Sequence, residues 1–327
     1  MTRRLTALLG VAALAVAACG GSDGGEATGT GSDGETRTVS VGMLPILPTA
    51  ALHAGIAEGF FEEEGLEVEI ETGQGGAALL PAVASGQMEF ATGNPVSLLQ
   101  AREEGLDVRM TAHWTSGLTE GEGDINGVIA LDGSGLESAA DLAGHTVAVN
   151  TLEGMGGLTV REAVRQDGGD PDAVEFTELG FPDMPAALND GNVDAVWIPE
   201  PFMTSLVDGD AHVVTHQGRE SVPGHPTQVF FTSGDLVESD PELVESMTRA
   251  MNKTLEFADE NPDAVREHVN DFLDVEPDLL ERVKLEEFGT DLREQEITQL
   301  GELMTQDGLL DGPADVDGLL QSAPDRG

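Results

Sequence analysis

The chain has 327 residues, enough for two lobes of ordinary domain size, and 39% of them are hydrophobic. It carries 61 acidic and 15 basic residues, and the resulting net charge of −46 makes nucleic acid and anionic lipid surfaces poor partners. We interpret this acidity as a solvated surface, with adaptation to high salt left open, because net charge affects solubility and does not determine the fold.

The first 18 residues predict a signal peptide. Arg3 and Arg4 give a positive start, residues 5–18 contain no charge, and small residues precede Cys19, the only cysteine. This apolar run is shorter than the roughly 20 residues that a membrane-spanning helix needs. The pattern resembles the lipobox of bacterial lipoproteins, which implies cleavage before Cys19, lipidation of its thiol and attachment to the membrane outside the cytoplasm.

Lipidation of Cys19 leaves the mature chain without a thiol, so the sequence predicts no disulfide and no cysteine-ligated metal site. Residues 19–37 are rich in Gly, Ser, Thr and acids and contain little to bury. We expect them to form a flexible linker between the lipid and the folded body.

The folded body begins near Thr38 and alternates short apolar runs with helical patterns. Strands are predicted at 38–43, 66–70, 88–91, 108–112, 126–131, 146–150, 174–178 and 193–199. Helices are predicted at 49–61, 77–85, 95–104, 157–165, 184–188 and 200–206. Asn94 suits the N-cap of its helix, and Pro95 suits the first helical position. This alternation predicts parallel α/β sheets with helices on both faces.

The last predicted strand is 227–232, and the chain after it has helical patterns. Helices are predicted to begin at Pro241 and Pro262, followed by helices at 277–288 and 295–304. Because this tail has no sheet of its own, we expect it to pack against the first lobe.

Five separated segments resemble one protein family. They are GIAEGFFEEEGLEVEI (55–70), LLPAVASGQMEFATGNP (79–95), LQAREEGLDVRM (99–110), DLAGHTVAVNTLEGMG (141–156) and ALNDGNVDAVWIPEPF (187–202). These segments are similar to those of the nitrate, sulfonate, taurine and thiamine-precursor solute-binding proteins. The resemblance covers about residues 40–310.

The resemblance implies the type II periplasmic-binding-protein fold, an α/β architecture in which two lobes are joined by two strand crossovers and close on a ligand by hinge motion. It implies a first lobe made of 38–114 and 225–327, the latter holding a return strand and the C-terminal helices. The second lobe is then 115–224. No cofactor is expected.

The implied function is capture of a small organic solute, either sulfonate-like or pyrimidine-like, and its delivery to the permease and ATPase subunit of an ABC importer. Two alternatives remain open: a ligand-sensing receptor on the same fold, and a pyrimidine-synthase-like enzyme. The enzyme branch carries a cysteine-rich motif, and this chain has no cysteine after Cys19. The sequence also lacks G-x-S-x-G and H-E-x-x-H motifs, so we expect no catalysis.

Ligands of open α/β sheets bind beyond the carboxyl ends of strands, which predicts a site at the junctions 43–49, 73–77, 93–97, 150–157 and 197–201. None of these junctions contains a basic residue, so an anion there would depend on the amides of helix N-termini. Candidate ligand-binding residues are Leu44, Pro45, Gly75, Gly76, Asn94, Trp114, Thr151, Gly154, Met155, Trp197 and Glu200.

Several of these candidates have a structural alternative. Asn94 could cap its helix, contact the ligand, or do both, and Trp197 could line the cleft or pack in the core. In the family, an acid at the position of Glu200 can receive a substrate amine, whereas an acid at a helix N-terminus also complements the helix dipole. We interpret His113 and His225 as structural residues.

Overall fold

The computed structural model describes residues 36–73, 76–119 and 123–320, and the side chains of residues 76–78 are not described. The predicted signal peptide, Cys19 and the linker up to residue 35 lie outside the described residues, as does the candidate Gly75. No helix within the described ranges is long and apolar enough to cross a membrane.

The described residues form eleven strands in two sheets. The strands are β1 (Arg37–Met43), β2 (Leu66–Thr72), β3 (Phe90–Gly93), β4 (Val108–Ser116), β5 (Asn126–Leu131), β6 (Thr146–Val149), β7 (Glu175–Glu178), β8 (Ala195–Pro199), β9 (Ala211–Thr215), β10 (Pro226–Ser233) and β11 (Glu287–Phe288). The first sheet has the order β11-β4-β10-β3-β1-β2, and the second has the order β7-β6-β8-β5-β9.

Helices connect the strands and cover the sheets. They are α1 (Thr49–Ala57), α2 (Phe60–Glu63), α3 (Gly76–Ala84), α4 (Pro95–Glu103), α5 (Met155–Gln166), α6 (Met184–Asn189), α7 (Phe202–Val207), α8 (Gln217–Ser221), α9 (Gly234–Ser239), α10 (Pro241–Glu260), α11 (Pro262–Glu267), α12 (Pro277–Leu280), α13 (Glu294–Gln306) and α14 (Val316–Leu320). Single turns of 3₁₀ helix lie at Ala139–Leu142, Pro171–Ala173, Phe181–Asp183 and Val269–Asp271.

The chain crosses between the two sheets twice, first between β4 and β5 and again between β9 and β10. We call the six-stranded sheet with its helices the first lobe, and the five-stranded sheet with its helices the second lobe. This two-lobed α/β arrangement with a C-terminal helical tail confirms the predicted fold class.

The prediction of purely parallel sheets was wrong, because both sheets are mixed. β1 pairs in parallel with β2 and β3, and β6 pairs in parallel with β7 and β8. The strands that follow the two crossovers run in the opposite direction: β5 is antiparallel to β8 and β9, and β10 is antiparallel to β3 and β4. A strand that enters from the other lobe needs no βαβ crossover, so it is not restricted to parallel pairing.

The core of the first lobe lies between its sheet and the long helix α10. The apolar stripe of α10 includes Leu243, Met247, Met251 and Leu255, all fully or nearly fully buried, as the spacing predicts. On the sheet, the rings of Phe90 and Phe230 stack with centroids 5.5 Å apart, and Trp114 stacks on Phe230 at 6.4 Å. Helix α10 of the tail therefore packs on the sheet of the first lobe.

Two predicted helices differ from the observed elements. The predicted helix 49–61 is two helices, α1 and α2, separated at Gly59, whose φ of +81° is left-handed and interrupts the helix. The predicted helix 277–288 is only the four-residue α12, and its last two residues form β11, which pairs with β4 at the edge of the first sheet. β9, α8 and α9 were not predicted.

Candidate ligand-binding site

A narrow cavity of about 40 Å³ lies between the two sheets and is lined by residues of both lobes and of both crossovers. The lining residues are Leu44, Ile46, Asn94, Ile125, Asn126, Asn150, Met155, Thr159, Phe181, Trp197, Pro199, Gln217, His225, Thr227, Gln228 and Glu286.

Four of the five predicted strand-to-helix junctions contribute to this lining. They supply Leu44 and Ile46 after β1, Asn94 after β3, Asn150 and Met155 after β6, and Trp197 and Pro199 at the end of β8. The described part of the fifth junction, 73–77, supplies no lining residue. The cavity therefore lies where the carboxyl ends of strands from two sheets face each other.

Asn94 caps its helix and also lies in the lining of the cavity. Its backbone is extended, and its Oδ1 accepts a hydrogen bond from the amide of Ser97 at 3.0 Å, which is the N-cap geometry of α4. The same residue lines the cavity. Because the cap fixes its side chain, the Asn94 amide is held in place before a ligand arrives.

Trp197 forms an aromatic wall of the cavity together with Phe181. The two ring centroids are 5.7 Å apart with planes tilted by 55°. Trp197 is 9% exposed, and its Nε1–H is buried without a hydrogen-bond partner among the described residues. Gly156 at the start of α5 permits this arrangement, because a Cβ there would lie 2.5 Å from Cε3 of the Trp197 ring.

The second crossover supplies polar groups that the sequence did not predict. Gln217 is 1% exposed, and its Nε2 donates to Oδ1 of Asn126 at 2.8 Å, while its Oε1 has no partner among the described residues. Gln228 on β10 also has a buried, unpartnered Oε1. These two amide oxygens are hydrogen-bond acceptors that the protein leaves available.

His225 also lines the cavity, although the sequence suggested only a structural role. Its ring nitrogen Nδ1 lies 2.8 Å from the carbonyl oxygen of Val222, so Nδ1 carries the proton that is donated there. Burial lowers the pKa of His225, although the charge of Asp124 opposes that change. The ring is therefore uncharged at neutral pH.

Glu286 is a carboxyl group that the C-terminal tail brings to the cavity. Its Oε1 accepts a hydrogen bond from Oγ1 of Thr227 at 3.3 Å, and Thr227 is 2.8 Å from Oγ1 of Thr115. Its Oε2 is shielded from solvent and has no partner among the described residues. Burial raises the pKa of Glu286 to about 8, and the nearby carboxylate of Asp124 contributes in the same direction. The carboxyl is therefore protonated and uncharged at neutral pH.

Glu200, a candidate for binding a substrate amine, does not line the cavity. It is 3% exposed, and its carboxyl accepts hydrogen bonds from the amide of Thr204 at 3.0 Å and from Oγ1 of Thr204 at 2.6 Å. Burial raises the pKa of Glu200, and these hydrogen bonds act in the opposite direction. The observed contacts are those of the structural alternative, an acid that caps the first turn of α7.

The other candidates divide between the cavity and its surroundings. Leu44, Met155 and Trp197 line it together with Asn94. Pro45, Thr151 and Gly154 are not among the lining residues, although each is next or close in sequence to one that is. Gly76 begins α3, and its contacts lie outside those that the structure describes. Trp114 is 1% exposed and stacks in the core of the first lobe, so it contacts Phe230 and does not reach this cavity.

A polar residue inside an apolar run is the signal that could have located the missed site residues. Gln228 interrupts the strand pattern Thr227 to Thr232, and Glu286 with its neighbour separates Leu285 from Phe288. A buried polar side chain costs free energy unless a partner compensates it, so such positions are candidates for ligand contacts.

No group of three or more His, Cys, Asp or Glu residues in the described ranges could hold a metal ion.

Comparisons with known proteins agree with this architecture. Residues 49–265 match the model of the family described as NMT1/THI5 like. The chain belongs to the NMT1/THI5-like family. It is 29% identical over 254 residues to the formylaminopyrimidine-binding protein of Halalkalibacterium halodurans, a match that covers 72% of this chain and 71% of the relative.

Solved structures of two other binding proteins share the fold. The alkanesulfonate-binding protein SsuA from Xanthomonas axonopodis pv. citri, bound to MOPS, superposes with a TM-score of 0.73 at 16% identity, covering 88% of this chain and 98% of that one. The periplasmic nitrate-binding protein NrtA from Synechocystis PCC 6803 gives a TM-score of 0.72 at 12% identity, covering 88% of this chain and 86% of that one. At these identities the likeness shows the fold alone.

Proposed function

We propose that this NMT1/THI5-like protein captures a small organic solute between its two lobes and delivers it to an ABC importer. The observation that carries this proposal is the cavity between the two sheets. It is lined from both lobes, and four buried polar atoms of its lining, on Trp197, Gln217, Gln228 and Glu286, have no hydrogen-bond partner among the residues that the structure describes. A ligand that supplies the missing hydrogen bonds would be held by both lobes at once.

The lining supports binding and not catalysis. Its described residues include no Ser, Cys or Lys. The Thr159 hydroxyl Oγ1 donates to the carbonyl of Met155 at 2.8 Å. His225 is oriented by the carbonyl of Val222 and not by a carboxylate. A nucleophile activated by an adjacent oriented base, the arrangement that covalent catalysis needs, is therefore not present in the lining. We propose that the protein is not an enzyme.

The chain's partners and location follow from the same proposal. We propose cleavage before Cys19, lipid attachment to Cys19, and an extracytoplasmic location in which residues 19–37 connect the lipid to the two lobes. We further propose that 38–114 and 225–327 form the first lobe and 115–224 the second. Its partners would be the permease of an importer and the ATPase subunit that drives it.

The ligand is proposed to be a small organic solute of sulfonate or pyrimidine type. The formylaminopyrimidine-binding protein of H. halodurans supports the pyrimidine class, and the SsuA structure supports the sulfonate class. Both classes of ligand are compatible with this fold, because one fold can bind chemically different ligands.

Isothermal titration calorimetry of the purified full chain tests the proposal, with taurine, an alkanesulfonate, nitrate and a 4-aminopyrimidine as probes. We expect one probe to bind at a 1:1 ratio and to be recovered chemically unchanged by mass spectrometry. Trp197→Ala is expected to weaken this binding, whereas Arg249→Gln, which removes an exposed ion pair with Glu64, serves as the matched control. Absence of binding across the panel, or conversion of a probe into a product, would contradict the proposal.

A further inference from the structure

A groove of about 460 Å³ lies beside helix α5, apart from the cavity described above. Its walls come from α5, β7 and neighbouring loops of the second lobe and from the segment after α13 of the first lobe. Helix α5 lines the cavity with Met155 and Thr159 but lines the groove with Leu158 and Arg161. Because successive helical residues are about 100° apart, these two pairs lie on different faces of α5. No described residue lines both spaces, so the groove is a separate candidate site.

The inner surface of the groove is apolar. Leu158 is 1% exposed and Val174 is 4% exposed, while Phe176 and Leu309 are partly buried and pack against the same hydrophobic core. Leu152 also lines the groove, and this large apolar residue is 47% exposed. A short alkyl chain placed in the groove would shield these surfaces from water, which favours its binding.

Asp307 supplies a buried carboxylate to this groove. Its side chain is 6% exposed, and one of its oxygens, Oδ1, is paired with Arg165 of α5. The other oxygen, Oδ2, is shielded from solvent and has no hydrogen-bond partner among the described residues. A buried carboxylate oxygen without a donor is costly, so Asp307 provides an acceptor that a ligand in the groove can satisfy.

The charge of the groove favours a cation. Three acids and one base line it within the described ranges: Glu153, Asp172, Asp307 and Arg161. The guanidinium of Arg161 already has partners, because it lies 5.1 Å from the centroid of the Phe176 ring and donates to the carbonyl of Pro171 at 3.0 Å. The groove therefore has an excess of negative charge, which repels an anionic ligand.

A positive N–H group on a short apolar chain has the properties that these observations require. An ammonium donates a charge-assisted hydrogen bond to a carboxylate oxygen, whereas a quaternary ammonium has no N–H to donate. An uncharged alcohol can donate to Oδ2 of Asp307, but it does not offset the acidic lining.

We propose that the groove is a second ligand site and that it binds a primary alkylammonium. The ammonium donates to Oδ2 of Asp307, and the alkyl chain lies against Leu158 and Val174. This site goes beyond the proposed solute capture and does not depend on which solute the first cavity binds.

Nuclear magnetic resonance titration of the isotopically labelled full chain tests the proposal with butylammonium, butanol and butyrate, three probes of equal chain length. Butylammonium is expected to shift the amide signals of Gly157 and Gly308 saturably, with a Kd below about 10 mM. The amide signal of Asn94 in the first cavity should not change. Butanol should bind at least about tenfold more weakly because it lacks the positive charge, and butyrate should not bind.

Two substitutions inside the groove and one outside it locate the site. Asp307→Asn keeps the shape of the side chain and removes its charge, so it should weaken butylammonium binding at least about tenfold. Gly157→Leu should weaken it to the same extent by filling the groove, because a Cβ there meets no atom within 4 Å. This variant keeps the Arg165–Asp307 pair and so separates blockage of the groove from opening of the lobes. The matched control is Asp311→Asn, at an exposed acid of the same segment outside the lining, and should change the Kd less than about twofold.

Three results would overturn the proposal. Butanol binding as tight as that of butylammonium would do so without depending on any variant, so an Asp307→Asn protein that fails to fold does not block the test. A Kd for butylammonium above about 10 mM, or no saturable shift, would also do so. Unchanged affinity in both groove variants would show that the amine binds elsewhere. Each of these results leaves the proposed solute capture intact, because that function is tested by its own panel of probes.

Discussion

Arg165 of the second lobe and Asp307 of the first lobe form an ion pair across the cleft. Arg165 lies near the end of α5, and Asp307 is the C-cap of α13, with a side chain only 6% exposed. In a second contact between the lobes, Nε2 of Gln100 in α4 donates to the carbonyl of Glu153 at 2.8 Å. The two lobes are therefore joined directly by side chains as well as by the crossovers.

The Arg165–Asp307 pair is predicted to stabilise the closed arrangement of the lobes. Arg165→Gln should make closure of the lobes less favourable by about 1 kcal/mol. The affinity for the ligand should then fall about fivefold, because a smaller fraction of the protein is in the binding-competent closed form. Calorimetry measures the affinity, and small-angle X-ray scattering of the ligand-free protein should show a larger radius of gyration. Arg249→Gln, which removes a pair inside the first lobe, is the control. An unchanged affinity with an unchanged radius would disprove a role in closure.

The contact between Gly156 and Trp197 predicts different outcomes for two neighbouring glycines. Gly156→Ala would push a Cβ into the Trp197 ring, so we expect a loss of about 1–3 kcal/mol of stability and weaker ligand binding. Gly157→Ala is the matched control, since a Cβ there meets nothing within 4 Å and alanine favours the helix by up to about 1 kcal/mol. Thermal unfolding and calorimetry distinguish them. Equal effects of the two substitutions would contradict the packing described for the cavity wall.

Glu200 is predicted to contribute to stability and not to ligand affinity. Glu200→Ala leaves the amide and hydroxyl of Thr204 without their acceptor and should lower the free energy of unfolding by about 1 kcal/mol. Thr204→Val removes one of the same hydrogen bonds and should act in the same direction. Ligand affinity should change less than about twofold in both variants. A large loss of affinity at unchanged stability would restore Glu200 as a ligand-binding residue.

The pKa of Glu286 predicts a pH dependence of stability. Its folded-state pKa of about 8 lies above the ordinary value of 4.5, so the folded state holds a proton that the unfolded state has released between these values. The free energy of unfolding should therefore fall as pH rises from about 4.5 to 8, by at most about 1.4 kcal/mol per pH unit from this group. His225 lines the same cavity and burial lowers its pKa, so the contribution of Glu286 has to be separated from that of His225.

Comparison with Glu286→Gln isolates this contribution, because the other groups titrate in both proteins. Denaturant unfolding at pH 5 and pH 8 should show a smaller loss of stability for Glu286→Gln than for the unaltered protein. Glu287→Gln should keep the original dependence. If the Glu286→Gln and unaltered proteins lose the same stability between these pH values, the carboxyl is not buried in protonated form.

The parts of the structure that could be predicted are those set by local patterns. The strand at 126–131, the Asn94 cap and the stripe of α10 depend on residues near one another in sequence. The position of Trp197 in the cavity followed from its place at a strand end, because ligand sites of α/β sheets lie there.

The remaining site residues depend on long-range packing that no local pattern encodes. Glu286 reaches the cavity only because β11 pairs with β4, and a two-residue strand is too short to show a period of two. Gln217 lies in the five-residue helix α8, which is shorter than the helices that an apolar repeat can indicate. The sequence left two roles open for Glu200, because an acid at a helix start can serve either a ligand or the helix itself.

The central claim, that a small organic solute binds between the two lobes, is tested most directly by the X-ray structure of the protein crystallised with the probe that binds in calorimetry. We expect the solute against Trp197, in contact with residues of both lobes. A solute bound outside the cavity, or in contact with one lobe alone, would contradict this claim.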